Sequence, residues 1–156
     1  MKAFWLDQSQ SLSSEALRDE GVYTAYLPLS DAVARDAGLA RVCHDFGYKQ
    51  RDEVQMNAES PDFDVMSRLF LREHAHAEDE VRYVLAGEGV FDIRSRTDRW
   101  MRVEVKSGDL LIVPQGRHHR FMLSDARHIH CLRLFKDSEG WTPIFRQSAA
   151  SASEES

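Results

Sequence analysis

The second half of the chain is a series of short segments that are rich in β-branched and aromatic residues. They run from VRYVLAG (81–87) and GVFDIRS (89–95) through WMRVEV, DLLIVP and RFML to IHCLRLF (129–135), with turns such as RTDR and KSGD between them. Many short strands at close spacing are typical of a sandwich or barrel. The pattern therefore predicts a mainly β fold.

Helical signals are confined to the first half of the chain. Ser14 is a candidate N-cap for a short helix that ends at Gly21. A second helix is predicted from Ser30 to Phe46, with Ser30 as its cap and Gly47 as its stop. Residues 51–70 are expected to add a further helical piece. These few N-terminal helices would precede the β region in one domain.

Length and composition bound the organisation of the chain. Its 156 residues fit one domain, which is expected to cover residues 1–147. The last nine residues, SAASASEES (148–156), are small, polar and acidic, so a disordered tail is predicted there.

Charge and hydropathy exclude several classes of partner. The net charge of -6 argues against a nucleic-acid partner. No apolar run approaches the ~20 residues of a membrane span, and the N-terminus does not resemble a signal peptide, so no membrane partner is expected. Cys43 and Cys131 have no paired spacing, which favours reduced thiols in a cytoplasmic protein.

Two histidines and a glutamate in FLREHAHAEDEVRYVLAG are spaced so that they can meet at one point. On a strand, residues two apart share a face, so His74 and His76 would point the same way. The segment AEDE reads as a turn, and Glu80 then shares a face of the next strand with Arg82. Two imidazoles and a carboxylate form a facial set that suits an open-shell divalent metal.

A fourth metal ligand is expected from a distant strand, and IVPQGRHHRF offers His118 and His119. His119 shares a face with Phe121, whereas His118 points with Arg120. Burying Phe121 and exposing Arg120 costs less free energy than the reverse, so the face of His119 is the inward one and His119 is the better ligand. A second His-x-His, His128 and His130, opposes the apolar face of its own strand and is interpreted as surface or packing residues.

These residues resemble the two cupin motifs, H-x-H-x-x-x-E and P-x-G-x-x-H. The narrower combination of EH-x-H-x-x-x-E-x-R-Y with RLF and GW is similar to the acireductone dioxygenases, over roughly residues 1–147. The resemblance implies a single-domain jelly-roll barrel of the cupin type. It also implies one Fe(II) or Ni(II) per chain on His74, His76, Glu80 and His119, and no organic cofactor.

The resemblance further implies a substrate and the residues that surround it. The family acts on the acireductone 1,2-dihydroxy-3-keto-5-methylthiopentene and O2 in methionine salvage. Iron directs cleavage to formate and 4-methylthio-2-oxobutanoate, and nickel directs it to formate, CO and 3-methylthiopropanoate. Arg82 and Arg133 match positions near the anionic substrate, and Phe70 and Phe121 match aromatic positions beside it.

Three questions stay open at the level of the sequence. The family usually continues its last ligand as H-W-F-D, whereas this chain has Arg120 and Met122 in place of Trp and Asp. A non-catalytic small-molecule binder or an isomerase on the same barrel is the alternative function. A monomer is expected, because no long apolar strand is left without a partner.

Overall fold

The computed structural model describes residues 1–137 and 142–147, so the predicted tail (148–156) and the GW pair (140–141) lie outside the described residues. Within these residues there are three helices, all in the first half of the chain, and ten strands, which are the only elements of the second half. In chain order they are β1 (Lys2–Trp5), α1 (Ser14–Asp19), β2 (Tyr23–Tyr26), α2 (Ala32–Phe46), β3 (Gln50–Asn57), α3 (Phe63–Leu71), β4 (His74–Ala75), β5 (Glu80–Arg94), β6 (Trp100–Lys106), β7 (Asp109–Val113), β8 (His119–Leu123), β9 (His128–Phe135) and β10 (Ile144–Phe145).

The strands form an antiparallel barrel-like sandwich that is built around the long strand β5. One set of neighbours runs β1-β6-β5-β8-β4-β10, and the other runs β2-β7-β5-β9-β3. Strand β5 belongs to both sets, because its first half pairs with β7 and β9 and its second half pairs with β6 and β8. The prediction of a mainly β fold with a few N-terminal helices is confirmed.

An irregularity in the middle of β5 reverses which of its side chains face inward. The register with β9 shifts between Val84 and Ala86, and Gly87 has a positive φ of 79°. A Cβ at Gly87 would lie 2.1 Å from the carbonyl oxygen of His128, so no other residue fits without a backbone shift. A one-residue shift exchanges the two faces. Val84 before it and Phe91 after it consequently both reach the interior core.

Two layers of apolar side chains lie on opposite faces of the β5–β9 sheet. The outer layer is covered by α2, whose Leu39 and Val42 pack with Val81 and Tyr83. The inner layer fills the space between the two sheets, and it leaves Glu80 and Arg82 of β5 on the interior side. None of the helices in residues 1–137 and 142–147 is long and apolar enough to cross a membrane.

Sequence patterns located the helices well but missed the first three strands. Helix α1 is capped by Ser13 and α2 by Asp31, each one residue from the predicted cap, and α2 ends at Gly47 as expected. Within residues 51–70 the part after Pro61 forms the expected helical piece, α3, whereas the part before it forms strand β3, which was not predicted. Strand β3 has only two apolar residues, Val54 and Met56, and they follow a run of three charged residues, so the sequence gives little sign of its inward face.

Candidate metal centre

Four side chains from separate elements converge inside the sandwich. His74 opens β4, His76 follows it, Glu80 opens β5 and His119 opens β8. One ligand atom from each residue lies within 4.8 Å of the others. His74 and His119 are also direct partners across the antiparallel strands β4 and β8. The structure therefore brings together the four residues that the sequence singled out.

The backbone reaches this arrangement differently from the predicted strand. Helix α3 ends at Leu71 with Arg72 as its cap, and the strand expected for His74 and His76 is reduced to His74 and Ala75. Alternation along one strand is therefore not what aligns the two histidines. The rings of His74 and His76 nevertheless approach to 5.2 Å between centroids, and those of His74 and His119 to 4.4 Å.

Backbone carbonyls orient two of the imidazoles. Nδ1 of His74 lies 2.6 Å from the carbonyl oxygen of Arg72, and Nδ1 of His119 lies 3.0 Å from that of Arg117. A carbonyl only accepts, so each Nδ1 carries the proton and donates it. The Nε2 lone pairs are then left to face the centre, which is the arrangement that metal-binding histidines use.

Several buried polar atoms at the centre have no hydrogen-bond partner among the described residues. They are Nδ1 and Nε2 of His76 and Nε2 of His119. Glu80 reaches towards both rings, with Oε1 at 3.2 Å from Nε2 of His76 and Oε2 at 3.1 Å from Nε2 of His119. Buried polar groups without partners are costly. A divalent cation at this point would be bound by one ring nitrogen of His76, by Nε2 of His119 and by the Glu80 carboxylate together, so these residues fit a metal.

The protonation states of the ligands also suit a metal. Burial lowers the pKa of His74 to about 4, and the neighbouring His119 adds to this effect. Burial acts to raise the pKa of Glu80, but Arg82 and His119 outweigh it and hold that pKa well below the usual value. At neutral pH His74 therefore presents a neutral imidazole and Glu80 a carboxylate, which are the forms that bind metal. Burial acts to lower the pKa of His119, but the Glu80 carboxylate outweighs it and raises that pKa, so an ion would have to displace a proton there.

Metal loading is expected to stabilise the folded chain. A ligand that binds only the folded state adds ~2.7 kcal/mol at a hundred times its Kd. For a chain of this size that raises the melting temperature by roughly 5–10 °C. Thermal unfolding of metal-free protein with and without added Ni(II) measures the shift. A shift of the same size in His119→Ala would place the ion elsewhere.

A cavity of about 270 Å³ opens onto the centre and supplies a place for a small organic substrate. Its polar end carries His74, His76 and Glu80 together with Arg82 and Arg133. Its remaining walls are mostly apolar and aromatic. They are formed by Val54, Met56, Met66, Phe70, Phe91, Phe121, Ile129 and Cys131. Apolar walls with a few convergent polar groups are typical of binding sites for small molecules.

The two arginines line this cavity in different ways. Arg82 donates from Nη2 to Oε1 of Glu80 at 2.9 Å, and from Nη1 to the carbonyl oxygen of Val81. Arg133 donates from Nε to Oδ1 of Asp52 at 2.7 Å and forms a second bond from Nη2 to Oδ2. Arg82 therefore holds a ligand of the centre, which the sequence did not predict.

The aromatic residues and the thiol are placed beside the centre. Phe70 and Phe121 meet edge to face, with 6.5 Å between their centroids, although they come from α3 and β8. Cys131 is buried in the same wall, and burial raises the pKa of its thiol to about 12. Both cysteines are free, and Cys131 stays a neutral thiol at physiological pH.

Residues of the cavity that the sequence did not identify come mainly from β3 and α3. Val54 and Met56 of β3 and Met66 of α3 line the cavity. The signal for β3 was the two-residue spacing of Asp52, Val54 and Met56. The charged and amide residues between them concealed that spacing.

The remaining polar residues near the ligands point elsewhere. Glu78 accepts from the backbone of Lys136 and Asp137, so it fixes another loop. Asp79 accepts hydrogen bonds from the Tyr48 hydroxyl at 2.7 Å and from the backbone N–H of Gln115. Asp79 fixes the turn between the ligands through these two contacts, which sequence reasoning missed, and Asp79→Asn is expected to loosen that turn.

The two departures from the family pattern lie on the outer face. Arg120 pairs with Asp92 at 2.9 Å, stacks on Trp100 and turns away from the cavity. Asp92 is fully buried and also binds Arg102, whose Nη2 lies 4.0 Å from Sδ of Met122. The replacements Arg120 and Met122 thus belong to a surface ion-pair cluster and do not contact the ligands.

The other histidines lie apart from the convergence. His128 is exposed, and His130 pairs with Glu53 at 3.2 Å on the outward face of β9. His118 precedes β8 and is not among the four residues whose ligand atoms converge. The parity argument that separated His119 from His118 agrees with this placement.

Comparisons with known proteins agree with the geometry of the centre. A model of the ARD/ARD′ family matches residues 7–143. The chain is 37% identical over 146 residues to an acireductone dioxygenase of Heterostelium pallidum, covering 94% of this chain and 98% of that protein. It is 38% identical over 148 residues to one of Dictyostelium discoideum, covering 94% and 99%. A solved acireductone dioxygenase from Bacillus anthracis, with a cadmium ion in its active centre, superimposes with a TM-score of 0.85 at 27% identity, covering 92% and 97%.

Proposed function

The chain belongs to the ARD/ARD′ family, and we propose that it is a metal-dependent dioxygenase that cleaves the acireductone 1,2-dihydroxy-3-keto-5-methylthiopentene with O2 in methionine salvage. The observation that carries the proposal is the convergence of His74, His76, Glu80 and His119 at the polar end of a cavity. Three imidazoles and one carboxylate leave coordination positions open on an octahedral ion.

The metal in this proposal is Fe(II) or Ni(II), one ion per chain, without an organic cofactor. When bound, the ion supplies a Lewis acid and open coordination positions for a bidentate oxygen substrate and O2. The cadmium ion of the Bacillus anthracis relative supports a divalent cation at the corresponding centre. Iron would yield formate and 4-methylthio-2-oxobutanoate, and nickel would yield formate, CO and 3-methylthiopropanoate.

The roles of the side chains around the ion follow from their positions. Glu80 is the one carboxylate of the set and neutralises part of the charge of the ion. Arg82 and Arg133 are permanently cationic and lie where a deprotonated acireductone would be held. The rings of Phe70 and Phe121 exclude water from the apolar end, where a short thioether chain fits. In this proposal the arginines orient the anionic substrate, and the aromatic residues keep water out of the cavity.

Removing Arg82 is expected to affect both metal and substrate. Arg82→Met deletes a hydrogen bond to the ligand Glu80, and the loss of such an outer partner costs about 10–100-fold in metal affinity or activity. Arg133→Met, which removes a cation bound to Asp52, is expected to retain its metal and lose only substrate affinity. Metal content beside steady-state kinetics separates the two. Equal metal loss in both variants would contradict the assignment.

Anaerobic mixing of metal-loaded protein with the acireductone, followed by air, tests the reaction. Rapid loss of substrate absorbance that requires O2 identifies a dioxygenase. Loss without O2 would identify an isomerase, after subtraction of the spontaneous rate. No change in either condition would identify a non-catalytic binder. These outcomes separate the proposal from the two alternatives.

We also propose that the protein acts as a monomer in the cytoplasm. Two edge strands, β1 and β2, are only four residues long, and the longer edge strand β3 exposes charged residues such as Arg51 and Glu53. Short or charged edges oppose association between sheets. Two free thiols favour a reducing compartment. Light scattering of the purified protein measures the mass, and a dimer would overturn the first part.

A further inference from the structure

We infer that Asp52 is a positioning residue that holds the guanidinium of Arg133 at the polar end of the cavity, where it orients an anionic substrate. The inference rests on the proposed function, because it assigns a task within the same site. Asp52 lies on β3, a strand that the sequence did not predict, and it is 81 residues away from its partner along the chain.

One wall of the cavity is built from three successive pairs across β3 and β9. The pairs are Asp52 with Arg133, Val54 with Cys131 and Met56 with Ile129. All except Asp52 line the cavity directly. The Asp52 side chain is 34% exposed, whereas Met56 is only 8% exposed. Along this wall the contacts thus change from an ion pair at the polar end of the cavity to apolar side chains at Met56 and Ile129.

Like charges face each other on the neighbouring strands. Arg82 of β5 and Arg133 of β9 are direct cross-strand partners. Like charges in this position destabilise a sheet unless each is offset. Glu80 offsets Arg82, and Asp52 offsets Arg133. Without Asp52, repulsion from Arg82 would favour side-chain conformations of Arg133 that point away from the cavity and towards solvent.

The geometry of the Asp52–Arg133 pair fixes direction as well as distance. Two parallel bonds join Nε and Nη2 of Arg133 to the two carboxylate oxygens. A bidentate pair of this kind holds the plane of the guanidinium. Asp52 acts through Arg133 and touches no reacting atom in this account. Holding a charged group in one orientation before substrate arrives lowers the ordering cost of binding.

Asp52→Asn tests this role, with Glu53→Gln as the matched control. Glu53 lies next to Asp52 on β3 and pairs with His130 of β9 on the opposite face, outside the cavity. Oxalate, a bidentate dianion that is not turned over, serves as the binding probe. Its affinity for nickel-loaded protein is measured by calorimetry, with metal content determined before and after. KM and kcat for the acireductone are measured in parallel.

We expect Asp52→Asn to weaken oxalate binding and raise KM about tenfold, with unchanged metal content and kcat, since one charge-assisted contact is misplaced. Glu53→Gln should change neither quantity. In the double variant Asp52→Asn, Arg133→Met, the Asp52 change should add nothing beyond Arg133→Met alone, because both act through one group.

Several outcomes would overturn the inference. One is an oxalate affinity that Asp52→Asn leaves unchanged, and another is a loss of oxalate affinity that is as large in the Arg133→Met background as in the wild type. The others are loss of metal from Asp52→Asn and wild-type protein that does not bind oxalate. Failure of the proposed function looks different. Nickel-loaded wild-type protein would then bind oxalate in an Asp52-dependent way but leave the acireductone intact.

Discussion

His119→Ala is expected to lose its metal and its turnover together. His119 is almost fully buried at 1% exposure, and it contributes an Nε2 atom that has no hydrogen-bond partner among the described residues. Loss of a direct ligand should exceed the roughly 10–100-fold effect of losing an outer partner. Metal content by elemental analysis and O2-dependent substrate loss measure the two quantities on the same preparation.

The matched control is His130→Ala, which removes a histidine of β9, the next strand along the chain. His130 is paired with Glu53 on the outward face of β9, so its loss should leave metal and activity nearly intact. His128→Ala should behave likewise, since that ring is exposed. A metal-poor His130 variant beside a metal-bound His119 variant would contradict the assignment of faces.

Glu80→Gln is expected to have the second large effect. Glu80 is the only carboxylate in the convergent set, and it is also the partner of Arg82. The amide removes the negative charge that offsets both the ion and the guanidinium. Metal affinity should therefore fall by more than about a hundredfold, while the strands retain their pairing and the circular dichroism spectrum is unchanged.

The neighbouring acid Glu78 provides the control for this variant. Glu78→Gln changes a residue two positions away whose carboxylate faces the backbone of Lys136 and Asp137. Its metal affinity should match that of the wild type in equilibrium dialysis. If Glu78→Gln were as metal-poor as Glu80→Gln, the carboxylate ligand would be Glu78 instead.

Local sequence patterns were sufficient to predict the strands that carry Glu80 and His119. Alternation in EVRYVLAG places Glu80 and Arg82 on one face, and HRFML places His119 with Phe121. Both segments are short, regular and flanked by turn residues, so the two-residue period of a strand is visible in them. The four converging side chains could be chosen on this basis and on the motif they form.

Long-range features of the site could not be predicted in the same way. The exchange of faces in the middle of β5 depends on the register shift against β9 between Val84 and Ala86, which no local pattern reveals. The pairing of Arg133 with Asp52 depends on which strands become neighbours. His74 and His76 meet through a two-residue strand after a helix, where regular alternation does not apply. Tertiary contacts determine each of these.

Elemental analysis of the protein loaded with Fe(II) or Ni(II), joined to product analysis after reaction with the acireductone and O2, is the most direct test of the proposed function. We predict one metal ion per chain and formate from both forms, with CO only from the nickel form. Protein that retains neither metal, or metal-loaded protein that consumes the acireductone without releasing formate, would contradict it.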